Sequence, residues 1–449
     1  AGGTSAGGTS AGGSSAGTGG SSAGAGGTGG GGGNFPANNA TGVCLDAPLT
    51  LTFTSAPTVG AAGTISIFDS SAPNTAIDTV NVGAGTYTDT IGGQAFNVVR
   101  PVFIDGNQAV VYFHQHKLKA NTKYFVTVSS GTFLNGQTPV GTVGPNTWSF
   151  TTGPAPTAAA AMTVDRTGSG PFCTVQGAFD AIANNNTTAR TITVQPGNYH
   201  EIVYVAGGKK NITLQGADRA ASLIEYPNNN NLNASTSTRN VFYANGTTGM
   251  TLSNLTIYNT TPQDGSQAEA LRVQADQVIL RNANFKSLQD TLDLSGRVYV
   301  VGSYIEGNVD FVWGSGAAYF DQCELKTVGR SGAVVQARNG QTAYGYAFVD
   351  SKLTAGSGVS NQVLGRIDAS QFPYSHVAYI NCQMTAIAAK GWTITNPQSP
   401  SNLRFWEYQS TDANGKALDT SQRVVQQIDA ATAAMMRDKT VVLAGWNPT

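Results

Sequence analysis

Two carboxylates spaced twenty residues apart are the part of this sequence best suited to chemistry. Asp290 and Asp310 lie within residues 287–314, SLQDTLDLSGRVYVVGSYIEGNVDFVWG. The 20-residue spacing is close to one coil of a β-solenoid, so equivalent positions on neighbouring coils would lie about 4.8 Å apart. Two carboxylates that close do not both ionise cheaply, so we expect one to hold a proton while the other is anionic. Such a pair supplies a general acid beside a nucleophile.

Short motifs around the two aspartates resemble the signatures of a known enzyme family. QDTL at residues 289–292 and GNVDFVWG at residues 307–314 resemble the QDTL and GxVDFxxG signatures of the pectin methylesterases, the aspartyl carbohydrate esterases. Four more motifs follow in the family's order: DRTGSGPFCTVQ at 165–176, GNYHE at 197–201, QAEAL at 267–271 and LGR at 364–366. One such motif is weak evidence, whereas six in order are strong. The resemblance covers about residues 162–449 and implies a right-handed parallel β-helix.

The resemblance also implies catalytic roles. Asp310, in the DFxxG motif, maps to the nucleophile, and Asp290, in the QDT motif, maps to the acid and then the base. We expect Gln289 and Gln267 to stabilise the oxyanion of a tetrahedral intermediate. We expect Arg366 to hold Asp310 ionised through bidentate hydrogen bonds and to contact galacturonate oxygens.

Two further residues are assigned to substrate binding. Arg338, in VVQARNG, is a loose match to a cleft arginine of the family. Trp313 lies within the GNVDFVWG motif, three positions after Asp310. The expected substrate is pectin, that is, methyl-esterified homogalacturonan. No metal and no organic cofactor is expected.

Two positions depart from the family's motifs. LGRPW reads LGRID here, so Asp368 stands where the family has a sugar-stacking tryptophan. The threonine of a SATF-like segment is replaced by Val241. Neither change removes a catalytic atom, so the reaction carries over better than the identity of the substrate.

Other functions fit parts of the sequence. One alternative is a β-helical pectin glycosidase or lyase, but His200 and His376 are not in a Gly-His-Gly context. Others are an esterase or thioesterase acting on another substrate, and a catalytically inactive polysaccharide-binding protein. Methanol release without new reducing ends distinguishes the esterase from the glycosidase and the lyase.

Composition excludes several classes of protein. Of the 449 residues only 11% are charged, and 25 Lys and Arg nearly balance 26 Asp and Glu, so no basic field for nucleic acid exists. No run of about 18 apolar residues predicts a membrane span. A start at Ala1 without Met is expected of a chain whose signal peptide has been removed. We therefore expect a secreted, extracellular monomer, with the N-terminal linker as a site for tethering to a cell surface.

The chain divides into four predicted segments, with boundaries at changes of composition. Residues 1–33 are a low-complexity Gly/Ser/Ala/Thr linker, and residues 34–153 alternate like the strands of an immunoglobulin-like (Ig-like) β-sandwich. Residues 154–161 are a second linker, and residues 162–449 form the β-helix. Every catalytic candidate lies in the last segment, so we expect a chain that begins near Ala158 to be active alone.

Within the last segment, six-residue cells recur with the steps of solenoid coils. They begin at Leu252, Leu280, Val301, Phe320, Phe348 and Tyr379. Their third or neighbouring residues, Asn254, Asn282, Ser303, Gln322, Ser351 and Cys382, are predicted to stack as turn residues. A helix is predicted over 175–183 and a helix-like stretch over 421–436.

Cysteine and histidine positions carry little signal. Cys44, Cys173, Cys323 and Cys382 show no metal-ligand spacing, so we interpret them as isolated thiols in β-structure. His114 and His116 are interpreted as an exposed pair on one face of a strand.

Overall fold

The structure is a computed structural model that describes residues 33–99, 101–263, 265–396, 402–425 and 427–449. All but the last residue of the predicted low-complexity linker lies outside the described residues. The remaining chain folds into a small β domain followed by a long parallel β-helix.

The β domain contains short strands that are mostly antiparallel. Its strands are β1 Ala40–Val43, β2 Leu49–Thr52, β3 Thr58–Val59, β4 Thr64–Asp69, β5 Ala76–Asn81, β6 Thr86–Ile91, β7 Gln94–Val99, β8 Val102–Asp105, β9 Gln108–Val111, β10 Lys123–Val128, β11 Phe133–Asn135, β12 Thr138–Val140 and β13 Ser149–Thr152. The largest sheet has the order β1-β13-β10-β4-β5, beside sheets β12-β11-β3 and β2-β9-β8 and the hairpin β6-β7. The assignment of these strands to an immunoglobulin-like topology stays a prediction.

The β-helix begins at Ala161. Its strands are β14 Ala161–Val164, β15 Arg190–Val194, β16 Gly197–Tyr199, β17 Val203–Val205, β18 Ile212–Gly216, β19 Ser222–Tyr226, β20 Phe242–Thr248, β21 Thr251–Ser253, β22 Thr256–Asn259, β23 Leu271–Asp276, β24 Val278–Arg281, β25 Asn284–Lys286, β26 Leu292–Leu294, β27 Arg297–Val301, β28 Tyr304–Gly307, β29 Val312–Gly314, β30 Ala317–Asp321, β31 Glu324–Thr327, β32 Ala333–Ala337, β33 Tyr346–Val349, β34 Lys352–Ala355, β35 Val363–Asp368, β36 His376–Ile380, β37 Gln383–Met384, β38 Trp392–Thr395 and β39 Arg404–Tyr408. The predicted right-handed parallel β-helix is confirmed.

From β15 onward, every third strand of the β-helix joins the same sheet. Sheet 1 is β14-β15-β18-β21-β24-β27-β30-β33-β36-β39, sheet 2 is β16-β19-β22-β25-β28-β31-β34-β37, and sheet 3 is β17-β20-β23-β26-β29-β32-β35-β38. One coil therefore contributes one strand to each sheet. All pairs between these strands are parallel, which places corresponding residues of successive coils side by side.

Apolar residues at corresponding positions fill the interior of the coils. Leu280, Val300, Phe320, Phe348 and Tyr379 pair in register along sheet 1. The Phe320 and Phe348 rings stack with centroids 4.4 Å apart, and the Phe348 and Tyr379 rings with centroids 4.7 Å apart. Stacking of like side chains buries a continuous core, which is why the cells recur in the sequence.

The predicted turn residues need a correction of register. The residues between sheets 1 and 2 have φ values of 47° to 58°, and they are Asn254, Asn282, Gly302, Gln322, Asp350 and Asn381. Val300, not Val301, pairs with Phe320. Ser303 therefore lies one residue beyond the turn, as do Ser351 and Cys382. Two adjacent apolar valines hid the true register in the sequence.

The helices are shorter than predicted. Helix α1 spans Val175–Asp180, and the Lys209 ammonium donates to the carbonyl oxygens of Phe179 and Ile182 near its C-terminal end (2.6 and 2.7 Å). Helices α2 Ala430–Arg437 and α3 Lys439–Val442 lie near the C-terminus. The predicted helix-like stretch over 421–436 was wrong in its first half, because Asp429 caps α2 by accepting from the Thr432 N–H (2.7 Å). No helix of the described residues is long and apolar enough to cross a bilayer.

A disulfide joins the β domain to the β-helix. Cys44 and Cys173 form this bond, so their interpretation as isolated thiols was wrong. Their separation of 129 residues carried no signal in the sequence. Cys323 and Cys382 are free and buried. Next to the bond, the Asp46 carboxylate accepts from Thr174 N (2.9 Å) and Thr174 Oγ1 (2.7 Å), which adds a second link at the start of α1.

The two histidines do not form a pair on a strand. Strand β9 ends at Val111, and the His114 ring lies 2.9 Å from Asp78 Oδ1. His116 instead lies 3.3 Å from Asp180 of the β-helix. The prediction failed because each imidazole has its own carboxylate from a distant part of the chain.

Candidate active site

Asp290 and Asp310 lie at the bend between sheets 2 and 3 on successive coils. Both have positive φ, 67° and 47°, a conformation that a short polar side chain tolerates better than most. The Asp290 N–H donates to the Val309 carbonyl oxygen (3.0 Å), which holds the two bends together. Both residues are nearly buried, at 8% and 5% exposure. The predicted proximity of the two carboxylates therefore follows from the coil length.

The Asp310 carboxylate is held by donors on both of its oxygens. Arg366 Nε lies 2.8 Å from Oδ1 and 2.9 Å from Oδ2, and Arg366 Nη2 also binds Oδ2. Gln336 Nε2 donates to Oδ2 at 3.0 Å. The Arg366 side chain is itself 47% exposed, so this ion pair is open to solvent on the side of Arg366. These donors fix the orientation of the Asp310 carboxylate.

Asp290 is surrounded by charge of both signs. Arg239 Nη2 donates to Asp290 Oδ2 at 3.2 Å, and the same guanidinium binds Glu269 with Nε–Oε1 and Nε–Oε2 distances of 2.9 Å. Burial raises the pKa of Asp290, and the negative charge of Glu269 raises it further, against the opposing effect of Arg239. Burial also raises the pKa of Glu269. The environment of Asp290 therefore favours the protonated form of its carboxyl group.

A row of polar and aromatic side chains crosses the outer face of sheet 3. Arg272 pairs in register with Asp293, Asp293 with Trp313, and Trp313 with Gln336. Arg272 Nη1 lies 3.1 Å from Asp293 Oδ2, and burial raises the pKa of Asp293. This row and Arg366 form the floor beside the two catalytic candidates.

Arg338 lies beside the same row of side chains, and its assignment to substrate binding stays a prediction. Its guanidinium carbon lies 4.7 Å from the centre of the Trp313 ring and 5.4 Å from the centre of the Phe372 ring. Arg338 Nε also donates to Gln336 Oε1 (2.8 Å). The structure therefore links Arg338, through Gln336, to the Asp310 carboxylate.

Gln267 and Gln289, the two glutamines assigned to the oxyanion, lie on neighbouring coils. Gln289 directly precedes Asp290. Gln289 forms a bridge with Val309, and its carbonyl oxygen accepts from the N–H of Ala268 (3.2 Å). Gln267 Oε1 accepts from Ser266 Oγ (2.6 Å). Their backbone positions agree with a shared site, and their role in catalysis stays a prediction.

Asp368 belongs to a turn at the end of β35. Its carboxylate accepts from Ser370 N (3.0 Å), Ser370 Oγ (2.6 Å) and Asn396 Nδ2 (3.0 Å). These bonds, with that of the Ser370 hydroxyl first, lower the pKa of Asp368. The residue that replaces the family's tryptophan therefore stabilises the turn that follows Arg366.

Sequence reasoning missed Arg239, Glu269 and Gln336. Glu269 and Gln336 lie inside motifs that were quoted, QAEAL and VVQARNG, but their orientation was not considered. Gln336 points to the same side as Arg338, since the two residues are two positions apart in an extended chain. Arg239 had no such signal, because its partners lie 30 and 51 residues away.

One group of possible metal ligands comes together within the described residues. It consists of Cys44, Asp46 and Cys173 at the domain junction, and its two sulfurs are joined in the disulfide.

Comparisons with known proteins identify the family of this chain. A family profile described as Pectinesterase matches residues 161–439. Pectinesterase 1 of Olea europaea is 31% identical over 284 residues, 59% of this chain and 74% of that protein. Pectinesterase 31 of Arabidopsis thaliana is 30% identical over 259 residues, 55% of this chain and 80% of that protein.

Solved structures show the same fold. The pectin methylesterase from carrot has a TM-score of 0.56 and 26% identity, covering 68% of this chain and 95% of its own. The enzyme from Aspergillus niger in deglycosylated form has a TM-score of 0.55 and 26% identity, covering 65% and 96%. The chain therefore belongs to the pectinesterase family, the carboxylic ester hydrolases that remove methyl esters from pectin.

Proposed function

We propose that Asp310 is the nucleophile and Asp290 the acid and then the base of this hydrolysis. The observation that supports the assignment is the difference between two carboxylates on successive coils. Asp310 accepts hydrogen bonds from Arg366 and Gln336, whereas Asp290 is buried beside Glu269, which raises its pKa. The first environment favours an anion and the second favours a protonated acid.

The reaction then proceeds in two steps. An Asp310 oxygen attacks the ester carbonyl carbon, and amide donors of Gln289 and Gln267 stabilise the oxyanion. As the intermediate collapses, the bond to the methoxy oxygen breaks and Asp290 gives its proton to that oxygen, which releases methanol. Asp290, now a carboxylate, takes a proton from water as the water attacks the acyl-enzyme, which frees Asp310 and the galacturonate product.

The outer face of sheet 3 beside the two aspartates is proposed to bind the polysaccharide. Arg366 and Arg338 provide cationic donors for galacturonate oxygens, and Trp313 provides apolar ring surface. A pectin methylesterase solved in complex with a hexasaccharide has the same fold, with a TM-score of 0.53 at 21% identity.

The remaining assignments concern the whole chain. We propose a secreted, extracellular enzyme that acts as a monomer and is held at a cell surface through the N-terminal linker. In this proposal residues 34–153 are an immunoglobulin-like module and residues 162–449 the esterase domain. Methyl-esterified homogalacturonan is the substrate.

Substitution of the two aspartates tests the roles. Asp310→Asn and Asp290→Asn should each lower methanol release from highly methylated pectin by about 100-fold or more. Asp276→Asn is a matched control, because Asp276 ends β23 and pairs with Arg297 at the surface (2.5 Å). Activity above about a tenth of wild type in Asp310→Asn would contradict the assignment.

A further inference from the structure

The segment that presents Arg239 to the active site is held by hydrogen bonds that begin in the β domain. We call residues 227–241 the arginine segment. It runs as a loop between β19 and β20 and ends one residue before β20 begins. Strand geometry does not fix such a loop, so side-chain contacts must position Arg239.

The Asn228 amide fixes the backbone on both sides of Arg239. Asn228 is fully buried, and its Nδ2 donates to the carbonyl oxygens of Thr238 (2.8 Å) and Asn240 (2.7 Å). Its Oδ1 accepts from Asn233 Nδ2 (2.8 Å). Each polar atom of this amide therefore has a partner, and the orientation of Asn228 depends on Asn233.

The Asn233 amide, in turn, binds the backbone of the β domain. The N–H of Asn97 donates to Asn233 Oδ1 (2.8 Å), and Asn233 Nδ2 donates to the Asn97 carbonyl oxygen (2.9 Å). Asn97 Nδ2 adds a bond to the Leu232 carbonyl oxygen (3.0 Å). Asn97 lies in β7 opposite Thr88 of β6, and Asn233 covers the edge of β7 that no other strand of the described residues pairs with.

The hairpin β6-β7 is a firm support for these bonds. Ile91, Phe96 and Val98 belong to the same buried core as the interior residues of the β-helix, rather than to the core of the β domain. The Phe96 and Tyr204 rings pack with centroids 6.1 Å apart. The hairpin is therefore covalently part of the β domain but packed into the first coils of the β-helix.

We propose that the β domain is part of the catalytic unit and that Asn97 and Asn233 are positioning residues for the reaction. The chain of contacts runs from the hairpin through Asn233 and Asn228 to the backbone around Arg239, and ends at the guanidinium bound to Glu269 and Asp290. This inference rests on the proposed role of Asp290.

The physical reason is the precision that a buried charge demands. Among the described residues, Arg239 is the cation whose side chain forms an ion pair with Asp290. The same guanidinium also binds Glu269. If the arginine segment shifts, Asp290 loses the hydrogen bond from Arg239 that orients its carboxyl group. Displacement of a catalytic contact by about 1 Å is enough for a rate loss of about 100-fold.

A double-mutant cycle tests the coupling. Asn233→Ala removes three bonds of the network and should lower kcat about 10-fold to 100-fold with little change in KM. If Asn233 acts through Arg239, adding Asn233→Ala to Arg239→Gln should cause no further loss. Asn231→Ala, an exposed residue of the same segment, should keep the wild-type kcat. Equal losses in the wild-type and Arg239→Gln backgrounds would overturn the proposal.

A second variant covers the case in which Asn233→Ala does not fold. Asn97 is exposed, and Asn97→Ala removes the bond to Leu232 and the bond from Thr88 Oγ1 to Asn97 Oδ1 (3.3 Å). We expect a folded protein with a several-fold lower kcat, and no such decrease in the Arg239→Gln background. An unchanged kcat in Asn97→Ala would overturn the proposal. Asp290→Asn measured alongside separates the two claims. If it is active the proposed acid is wrong, and if it is inactive while both asparagine variants are fully active only this inference fails.

Discussion

Asp290 and Asp310 have the same functional group, and their neighbours give them different chemistry. Asp310 meets a guanidinium and an amide that both donate to it. Asp290 meets one guanidinium, which it shares with Glu269. Backbone stacking brings the pair together, and residues of other coils give the two carboxyl groups different hydrogen-bond partners.

The pH dependence of the rate should report the proton on Asp290. Burial, with Glu269 next in effect, raises the pKa of Asp290 to about 8. The acid is therefore available below that pH, and kcat/KM should fall as the pH rises through it. Glu269→Gln removes a negative charge and should move this alkaline limb to lower pH.

A pH profile of methanol release checks this prediction. Glu324→Gln is a suitable control, because Glu324 lies in sheet 2 and its carboxylate accepts from Thr354 Oγ1 (2.7 Å). The control should keep the wild-type limb. An alkaline limb that stays in place in Glu269→Gln would show that Glu269 does not influence the acid.

Gln336 gives a second prediction at this scale. Gln336→Leu keeps the approximate volume but removes the donor to Asp310 and the acceptor of Arg338. A hydrogen bond to a charged group is worth about 1.5–3 kcal/mol, so kcat should fall about 10-fold to 100-fold. Steady-state kinetics check it, with Gln383→Leu in sheet 2 as the control. Wild-type kcat in Gln336→Leu would mean that Arg366 alone orients the nucleophile.

The sequence predicted the residues that short motifs carry and missed those that only the coil register brings in. Asp290, Asp310 and Arg366 were identifiable because each lies in a family motif. Gln336 and Glu269 lay inside quoted motifs but their contacts depend on which face each strand exposes. Local patterns do not encode the contact between Arg239 and Asp290, since it depends on a loop held from another domain.

Among the elements, the coils were predictable because their interior side chains repeat. The cells were recognised from apolar residues alternating with turn residues, and the structure confirms the parallel stacking. The register at Val300 and Val301 was wrong because both residues are apolar and either can face inward. Turn residues with positive φ, such as Asn282 and Gly302, mark the correct register.

Stability of the coils should depend on the stacked aromatic column. Phe348 lies between Phe320 and Tyr379, so Phe348→Ala should lower the free energy of unfolding by about 3–5 kcal/mol. Phe348→Leu should lose less, because it leaves a smaller cavity. Urea unfolding measures both, with the exposed Lys352→Ala as the control. A loss below about 1 kcal/mol in Phe348→Ala would contradict the stacked core.

In the whole molecule, the two β units are joined more firmly than the predicted linker of residues 154–161 indicates. Sequence analysis expected a chain that begins near Ala158 to act alone. The disulfide, the Asp46 contact with α1, the hairpin β6-β7 and the contact between His116 and Asp180 also connect the units. None of these contacts leaves a local pattern in the sequence, because each joins residues far apart in the chain.

The disulfide should contribute measurably to stability. It closes a loop of 129 residues, so Cys44→Ser with Cys173→Ser should lower the free energy of unfolding by about 2–5 kcal/mol. Thermal and urea unfolding of the double variant check this. Treatment with a reductant should lower the stability of the wild type and leave the variant unchanged. Equal free energies of unfolding for the wild type and the double variant, both without reductant, would show that the disulfide adds no stability to the packed interface.

Product analysis on highly methylated pectin tests the central claim most directly. The measurement follows methanol and new reducing ends for the wild type and for Asp310→Asn in parallel. We predict methanol release without new reducing ends for the wild type, and at least about 100-fold less methanol for Asp310→Asn, because the nucleophile is lost. New reducing ends from the wild type, or methanol from Asp310→Asn above about a tenth of the wild-type rate, would contradict the account.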